Sequence, residues 1–351
     1  MGVEKSLLFP FVPGILRCRV LFITLDKGLS LTMTQRCGYI AIMGRPNAGK
    51  SSLLNTLVGQ KIAGVSAKPQ TTRSRILGIR LEGDAQLLFL DTPGIHRQQR
   101  RVELNSMMNR EAWSVLADAD AVLYLIDGSS EPGEEGFDPD RAFLRNLLRD
   151  YAGPVFLCLN KCDKMKKDEI ATRQMEVDTL VRALLFELGE ESKAQIAGDR
   201  IWTVSAKRRD SLDELLSDVS QRLPEGPWLF PEDDLTDRPQ KFVVSELIRE
   251  QAFRCLGAEL PYHLAVRVEE VDFEEGLVRI YAELIVGRSQ HKGIVLGKGG
   301  SKIKEIGSKA RVSLELHFSQ KVFLKLEVIV DEGWVNDRYS VAEYSEFASN
   351  P

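Results

Sequence analysis

Residues 39–58 run YIAIMGRPNAGKSSLLNTLV: an apolar run, a glycine-bearing loop and a helical pattern in immediate succession. Tyr39 to Met43 has strand length, and Leu53, Leu54, Leu57 and Val58 recur at helical spacing. The loop between them, Gly44-Arg45-Pro46-Asn47-Ala48-Gly49-Lys50-Ser51, fits G-x-x-x-x-G-K-[ST] in the strand–loop–helix context that gives the pattern meaning. Glycines let backbone N–H groups curl round phosphate oxygens, the helix N-terminus adds its positive dipole end, Lys50 neutralises β and γ charge, and Ser51 offers a hydroxyl to Mg²⁺. Gly44, Asn47, Ala48, Gly49, Lys50, Ser51 and Ser52 make the expected phosphate-binding set. A glycine turn before a helix is the bland alternative, and the downstream partners of the loop argue against it.

Working outward, apolar runs of strand length recur at Leu87 to Leu90, Ala121 to Ile126, Val155 to Leu159 and Ile201 to Val204, with helical patterns such as Asp140 to Arg149 and Ile170 to Leu188 between them. This alternation predicts an α/β domain with a mostly parallel sheet covered by helices on both faces. The strand Leu87 to Leu90 delivers Asp91-Thr92-Pro93-Gly94 at its C-terminal end, where open α/β sheets bind ligands. There Asp91 is expected to hold Mg²⁺ through water and the Gly94 N–H to meet a γ-phosphate, so Asp91, Thr92, Pro93, Gly94 and Ile95 read as a switch. Asn160-Lys161-Cys162-Asp163 follows the strand Val155 to Leu159. Asp163 can accept hydrogen bonds from N1–H and the exocyclic amine of guanine, whereas adenine would leave a buried carboxylate unsatisfied at a cost of a few kcal/mol. Asn160 would tie the loop together, the Lys161 stem would lie over the base, and Ser205, Ala206 and Lys207 fit the last base-contacting loop.

In this order the motifs are those of the translation-factor-like GTPases, and the chain resembles the Era family from about Tyr39 to Asp337. The resemblance implies a second motif at Pro69 to Arg73, with Gln70, Thr71 and Thr72 as switch I and Thr72, or Thr71, meeting Mg²⁺ and the γ-phosphate. Ile95 stands where Ras-type enzymes place a water-orienting Gln, which implies slow hydrolysis of GTP. Asn47 matches the phosphate-loop asparagine that coordinates K⁺ in related GTPases, so K⁺ is implied as an activating ion beside Mg²⁺. Arg45 and Arg73 could supply further charge, although a solvated arginine is the plainer reading of each.

Residues 223–240, with Pro224, Pro227, Pro231 and Pro239, read as a linker between a G domain at 37–222 and a smaller α+β domain at 241–337. In the second domain Phe242 to Gly257 has the pattern of an amphipathic helix. Gly297-Lys298-Gly299-Gly300 then provides a Gly-x-x-Gly loop before a helix, the device by which KH domains clamp a nucleic-acid backbone. Arg288, Lys292, Lys298, Lys302, Lys304, Lys309 and Arg311 surround it, with Glu305 the sole acidic residue of that stretch. Gly297, Lys298, Gly299, Gly300, Lys302 and Lys304 are the expected RNA contacts, with Ile294, Val295 and Ile303 as groove floor and core. The element order looks like a type II KH domain, and the Era resemblance implies the 3′ end of 16S rRNA and assembly of the 30S subunit.

The 351 residues carry 43% hydrophobic and 28% charged side chains and a net charge of −4, so nucleic-acid attraction has to be local rather than global. Five scattered cysteines (Cys18, Cys37, Cys158, Cys162, Cys255) read as reduced thiols, and no stretch has the length or apolarity of a membrane span. The expected setting is a soluble, monomeric, cytoplasmic protein with GTP or GDP bound, with weak peripheral association at the inner face of the cell membrane. Residues 1–36 are read as a disordered extension or a misassigned start, with Met33 the favoured initiator, and 338–351 as a flexible tail. Competing readings are a constitutive RNA-binding scaffold with a structural nucleotide pocket, and a tRNA-modification GTPase, which lacks the Gly-Lys-Gly-Gly module.

Overall fold

The structure is a computed structural model that describes residues 35–66, 73–93, 113–129, 138–257 and 260–345. Expectations for residues 1–34, for Gln70, Thr71 and Thr72, for Gly94 and Ile95, and for the last six residues lie outside that description.

The first half builds one six-stranded sheet. Its strands are β1 (Arg36–Gly44), β2 (Ile76–Glu82), β3 (Ala85–Asp91), β4 (Ala121–Asp127), β5 (Pro154–Asn160) and β6 (Gln195–Thr203), in the order β2-β3-β1-β4-β5-β6. All neighbours are parallel except the β2–β3 hairpin. Alternation along β1 divides the core: Ile40 and Ile42 face helices α1 (Lys50–Val58) and α4 (Asp213–Arg222), while Ala41 and Met43 face α2 (Asp138–Asp150) and α3 (Lys167–Leu188). Register pairs Ile42 with Asp91, Gly44 with Leu125 and Asp127 with Asn160, so the C-terminal ends of β1, β3, β4 and β5 share one rim.

The second half has α5 (Gln240–Cys255), β7 (Leu264–Glu274), β8 (Leu277–Val286), α6 (Ser289–Leu296), α7 (Ser301–Phe318) and β9 (Lys321–Val330). Its three-stranded sheet runs β7-β8-β9, antiparallel then parallel, so α6 and α7 form the crossover that a parallel β8–β9 pair requires.

Three features differ from the sequence reading. Ile76–Glu82 is a strand, held by antiparallel pairing to β3. Helix α5 is buried from Phe242 to Phe253, polar residues included, because it lies between the two halves: Leu57, Ile62 and Ala63 share one continuous apolar cluster with Val244, Leu247 and Ile248. Residues Arg338–Ser345, expected as a loose tail, form helix α8, with Val341 fully buried beside Trp334 and the Tyr344 hydroxyl donating to Asp331 Oδ2 at 2.8 Å. The linker is strapped down as well: the buried Gln86 accepts from the Leu229 and Phe230 N–H groups at 2.8 and 3.0 Å and donates to the Phe230 carbonyl at 2.7 Å. Among the described residues no helix is long and apolar enough to cross a membrane, and the four described cysteines are free thiols.

Candidate functional site

The rim of the large sheet gathers the expected nucleotide residues. Gly49, at φ 104°, lies so close to Asn160 that a Cβ there would stand 2.4 Å from Asn160 Nδ2, so only glycine lets the loop and this side chain meet. Asn160 is fully buried. Its Nδ2 donates to the Ala48 carbonyl at 2.7 Å and its Oδ1 accepts from the Ala206 N–H at 3.0 Å, joining the phosphate loop, the β5 loop and the loop after β6. A further strut runs from the Thr56 hydroxyl to the Ala206 carbonyl. Ala48, Gly49, Lys50, Asn160, Ser205 and Ala206 thus form one surface.

Lys50 is 6% exposed, and its ammonium donates to the carbonyls of Gly44 and Arg45 at 2.9 and 3.0 Å. Burial pulls its pKa down to about 8, opposed by the charge of Asp91. Ser51 Oγ donates to Asp91 Oδ2 at 2.6 Å, a hydroxyl and a buried carboxylate converging beside the loop, and hard oxygens of that kind suit Mg²⁺. No cluster of three or more His, Cys, Asp or Glu able to hold a metal occurs among the described residues. Thr92 is taken up structurally, its hydroxyl donating to the Ile42 carbonyl at 3.0 Å, and Pro93 follows it at the end of β3. Asn47 adopts φ 63° at the tip of the loop, and Ser52 lies in the first turn of α1.

Asp163 accepts from Ser205 Oγ at 2.7 Å and stands 3.7 Å from Lys207 Nζ; the Ser205 hydrogen bond holds its carboxyl below the usual range, leaving it charged for two donors of a base. Lys161, at φ 66°, points its ammonium to Asp127 Oδ2 at 2.5 Å. Asp127 escaped the sequence reading although an acidic residue ending a strand on this rim was visible there. So did Asp140, 3% exposed, which accepts from the buried Tyr124 hydroxyl at 2.9 Å and pairs with Arg45 at 3.5 Å. Burial raises its pKa. Arg45 is therefore engaged, and Arg73 is not solvated at all: 3% exposed, it donates to the Leu264 carbonyl of the second half at 2.8 Å.

The Gly-x-x-Gly loop stands between α6 and α7. Gly297, Gly299 and Gly300 all have positive φ (68°, 61°, 77°), and a Cβ at Gly299 or Gly300 would meet nothing within 4 Å, so the backbone here is bare to an approaching chain. Beside it a groove of about 470 Å³ runs between α7 and β9, lined by Ile303, Lys304, Gly307, Ser308, Arg311, Leu324, Lys325 and Leu326. Ile303 is groove wall as expected and Val295 is core, but Ile294 is 55% exposed on α6 and belongs to neither. Lys302 and Lys309 both bind Glu305 at 2.8 Å, which together hold its carboxyl down to about 2. Lys298, Lys304 and Arg311 have no ion-pair partner among the described residues, and they border the loop and groove.

Residues 39–161 match the family model of the 50S ribosome-binding GTPases, and 259–335 match that of the KH domain. GTPase Era of Coxiella burnetii (strain Dugway 5J108-111) is 43% identical over 307 residues, 88% of this chain and 97% of the relative. GTPase Era of Pseudomonas putida is 39% identical over 302 residues, 86% of this chain and 93% of that one. Two solved structures superpose at TM-score 0.76 with 34% identity and 89% of this chain covered: an Aquifex aeolicus Era variant bound to GDP·AlF4⁻, covered completely, and Era in complex with MgGDPNP and nucleotides 1506–1542 of 16S ribosomal RNA, covered to 99%.

Proposed function

The chain belongs to the Era family of GTPases, and we propose that it binds GTP with Mg²⁺, hydrolyses it slowly, and couples nucleotide state to binding of the 16S rRNA 3′ end during assembly of the 30S subunit in the cytoplasm. The observation that carries this is Asn160 joining Ala48 to Ala206, which ties the phosphate loop to the loop after β6, whose Ser205 hydroxyl in turn donates to Asp163. The backbone N–H groups of Asn47 to Ser52 cradle the phosphates and Lys50 turns from its two carbonyls toward β and γ oxygens. Ser51 and Asp91, already in contact, hold Mg²⁺, with Thr72 as the further ligand implied by the family. When bound, the ion neutralises charge developing on the β and γ oxygens. Asn47 at the loop tip would hold K⁺, which would supply the positive charge that an arginine finger gives elsewhere. Asp163 reads guanine. Single-stranded RNA lies along the α7–β9 groove with its phosphates on Gly297 to Gly300, Lys298, Lys302 and Lys304, and bases against Ile303 and Leu324.

The double variant Lys298→Asp with Gly299→Asp tests the RNA half. The Gly299 site is open and aspartate tolerates left-handed backbone better than most residues, so the loop can accept it. Filter binding to a single-stranded oligonucleotide of the 16S 3′ end should weaken by at least about 2 kcal/mol, from two lost or reversed phosphate contacts, with GTP affinity unchanged. RNA affinity near wild type would remove the loop from the site. A constitutive scaffold with a structural pocket would bind RNA equally with GTP, GDP or neither and would not turn GTP over.

A further inference from the structure

We propose that Asp140 is a positioning residue of the phosphate site: through Arg45 it fixes the opening residues of the phosphate loop against β4 and α2, so that the loop meets phosphate already folded. This deepens the reading above and rests on it, because that reading puts the phosphates on residues 47–52.

The loop leaves β1 at Gly44, which pairs with Leu125 of β4, and a Cβ on Gly44 would stand 2.4 Å from the Leu125 carbonyl oxygen. One residue earlier on β4 is Tyr124, fully buried, its ring packed on Phe143 of α2 with 5.2 Å between centroids. The Tyr124 hydroxyl donates to Asp140 Oδ1 at 2.9 Å, and Asp140 Oδ2 stands 3.5 Å from Arg45 Nη1. The Arg45 carbonyl accepts from Lys50 Nζ at 3.0 Å and from the Ala48 N–H at 3.2 Å, which closes the turn from Arg45 to Ala48 at the head of the loop. Arg45 thus joins two systems. Its side chain is seated on a buried hydroxyl–carboxylate pair of the scaffold, and its main chain holds the turn that presents the loop.

A carboxylate that is 3% exposed has to be offset by its partners, and burial here pushes its pKa up. Among the described residues those partners are Tyr124 and Arg45, while the nearby Asp127 carboxylate opposes the charge. An acid in the first turn of α2 would favour that helix from the surface, without the cost of burial. What the buried position adds is a fixed seat for the Arg45 guanidinium, on a side chain otherwise 47% exposed. A loop that orders only on binding loses affinity by the entropy of ordering, and a loop seated in the free protein does not. Among the described residues Asp140 makes no hydrogen bond or ion pair with 160–163 or 205–207, so its effect falls on the phosphate end of the site.

The test is GDP affinity of the full chain, with thermal melting of the nucleotide-free protein beside it, for Asp140→Asn, Arg45→Met, the two combined, Tyr124→Phe and Lys50→Ala. Asp140→Asn and Arg45→Met should each weaken GDP about tenfold, and the combination no further, because all three remove one interaction. Tyr124→Phe, which leaves the Arg45 pair in place, should weaken it about threefold. A loss of about a hundredfold in the combination would mean two independent effects and overturns the proposal. So does an Asp140→Asn variant that melts lower yet binds GDP as wild type, which is the behaviour of an acid that serves α2 alone. A loss confined to Arg45→Met overturns it as well, since Arg45 would then meet phosphate directly. If Asp140→Asn does not fold, Tyr124→Phe combined with Arg45→Met decides, and that pair should lose no more than Arg45→Met by itself. A Lys50→Ala variant that binds GDP as wild type instead refutes the placement of the phosphates.

Discussion

Nucleotide binding should take up a proton at Lys50, increasingly so as the pH rises above neutrality. In the free protein the ammonium is buried between two carbonyls, and its pKa is drawn down to about 8. In the complex phosphate oxygens surround it and favour the charged form, so the bound pKa lies well above the free one. At about pH 7 roughly one-tenth of the free protein carries a neutral Lys50, and at about pH 8.5 roughly three-quarters does. The sign follows: affinity is greatest below the free pKa and declines as pH rises through it. Between those two conditions GDP affinity should weaken roughly fourfold, about 0.8 kcal/mol. Calorimetric titration of the Mg²⁺-supplied protein with GDP, in buffers of different ionisation enthalpy, reads the proton count directly. It should rise from roughly 0.1 to roughly 0.75 per nucleotide. A count that stays flat over this range, or proton release, would refute the buried-ammonium account.

Two further outcomes follow from the same rim. Asp163→Asn should weaken GTP by about 2–3 kcal/mol and gain xanthosine nucleotide, whose oxygen replaces the guanine amine; competition binding with no gain for the xanthine nucleotide would move the base elsewhere. Turnover should rise when K⁺ replaces Na⁺ at constant ionic strength, read by phosphate release, and equal rates would leave Asn47 as a residue that only shapes the loop.

The large sheet was legible because its inner strands are buried on both faces and so read as unbroken apolar runs: Leu87 to Leu90 and Ala121 to Ile126 are nearly or fully buried. Ile76–Glu82 was passed over because an edge strand mixes Gly78, Arg80 and Glu82 with its apolar residues, and pairing to β3, which no local pattern contains, makes it a strand. Helix α5 shows the opposite failure. Its Glu246, Arg249, Glu250 and Gln251 promise a solvated face, yet all four are buried: Arg249 binds Glu246 one turn away, and Glu250 binds Lys61, a partner the sequence does not display. Helix α8 rests on Val341 and Tyr344 meeting Trp334, too few apolar positions to make a periodic signal.

The site divides along the same physical line. Phosphate and base contacts are made largely by backbone and by short side chains at fixed offsets from strand ends, so spacing alone nominates Gly44 to Ser51, Asp91 and Asn160 to Asp163. Long side chains are not bound by spacing. Arg73 read as a solvated arginine, and only the folded chain brings Leu264, Phe253 and Trp334 around it, 180 residues and more away in sequence. Charge at the RNA-facing loop is likewise redistributed by folding: the count of seven basic residues overstates the field, since Glu305 on the same helix engages Lys302 and Lys309 one turn away on either side. What can attract phosphate there is the remainder with no ion pair among the described residues, Arg288, Lys292, Lys298, Lys304 and Arg311, set beside a backbone that Gly299 and Gly300 leave open. An acidic protein can thus present a nucleic-acid surface because the pairing of its charges, more than their number, decides where an anion is drawn.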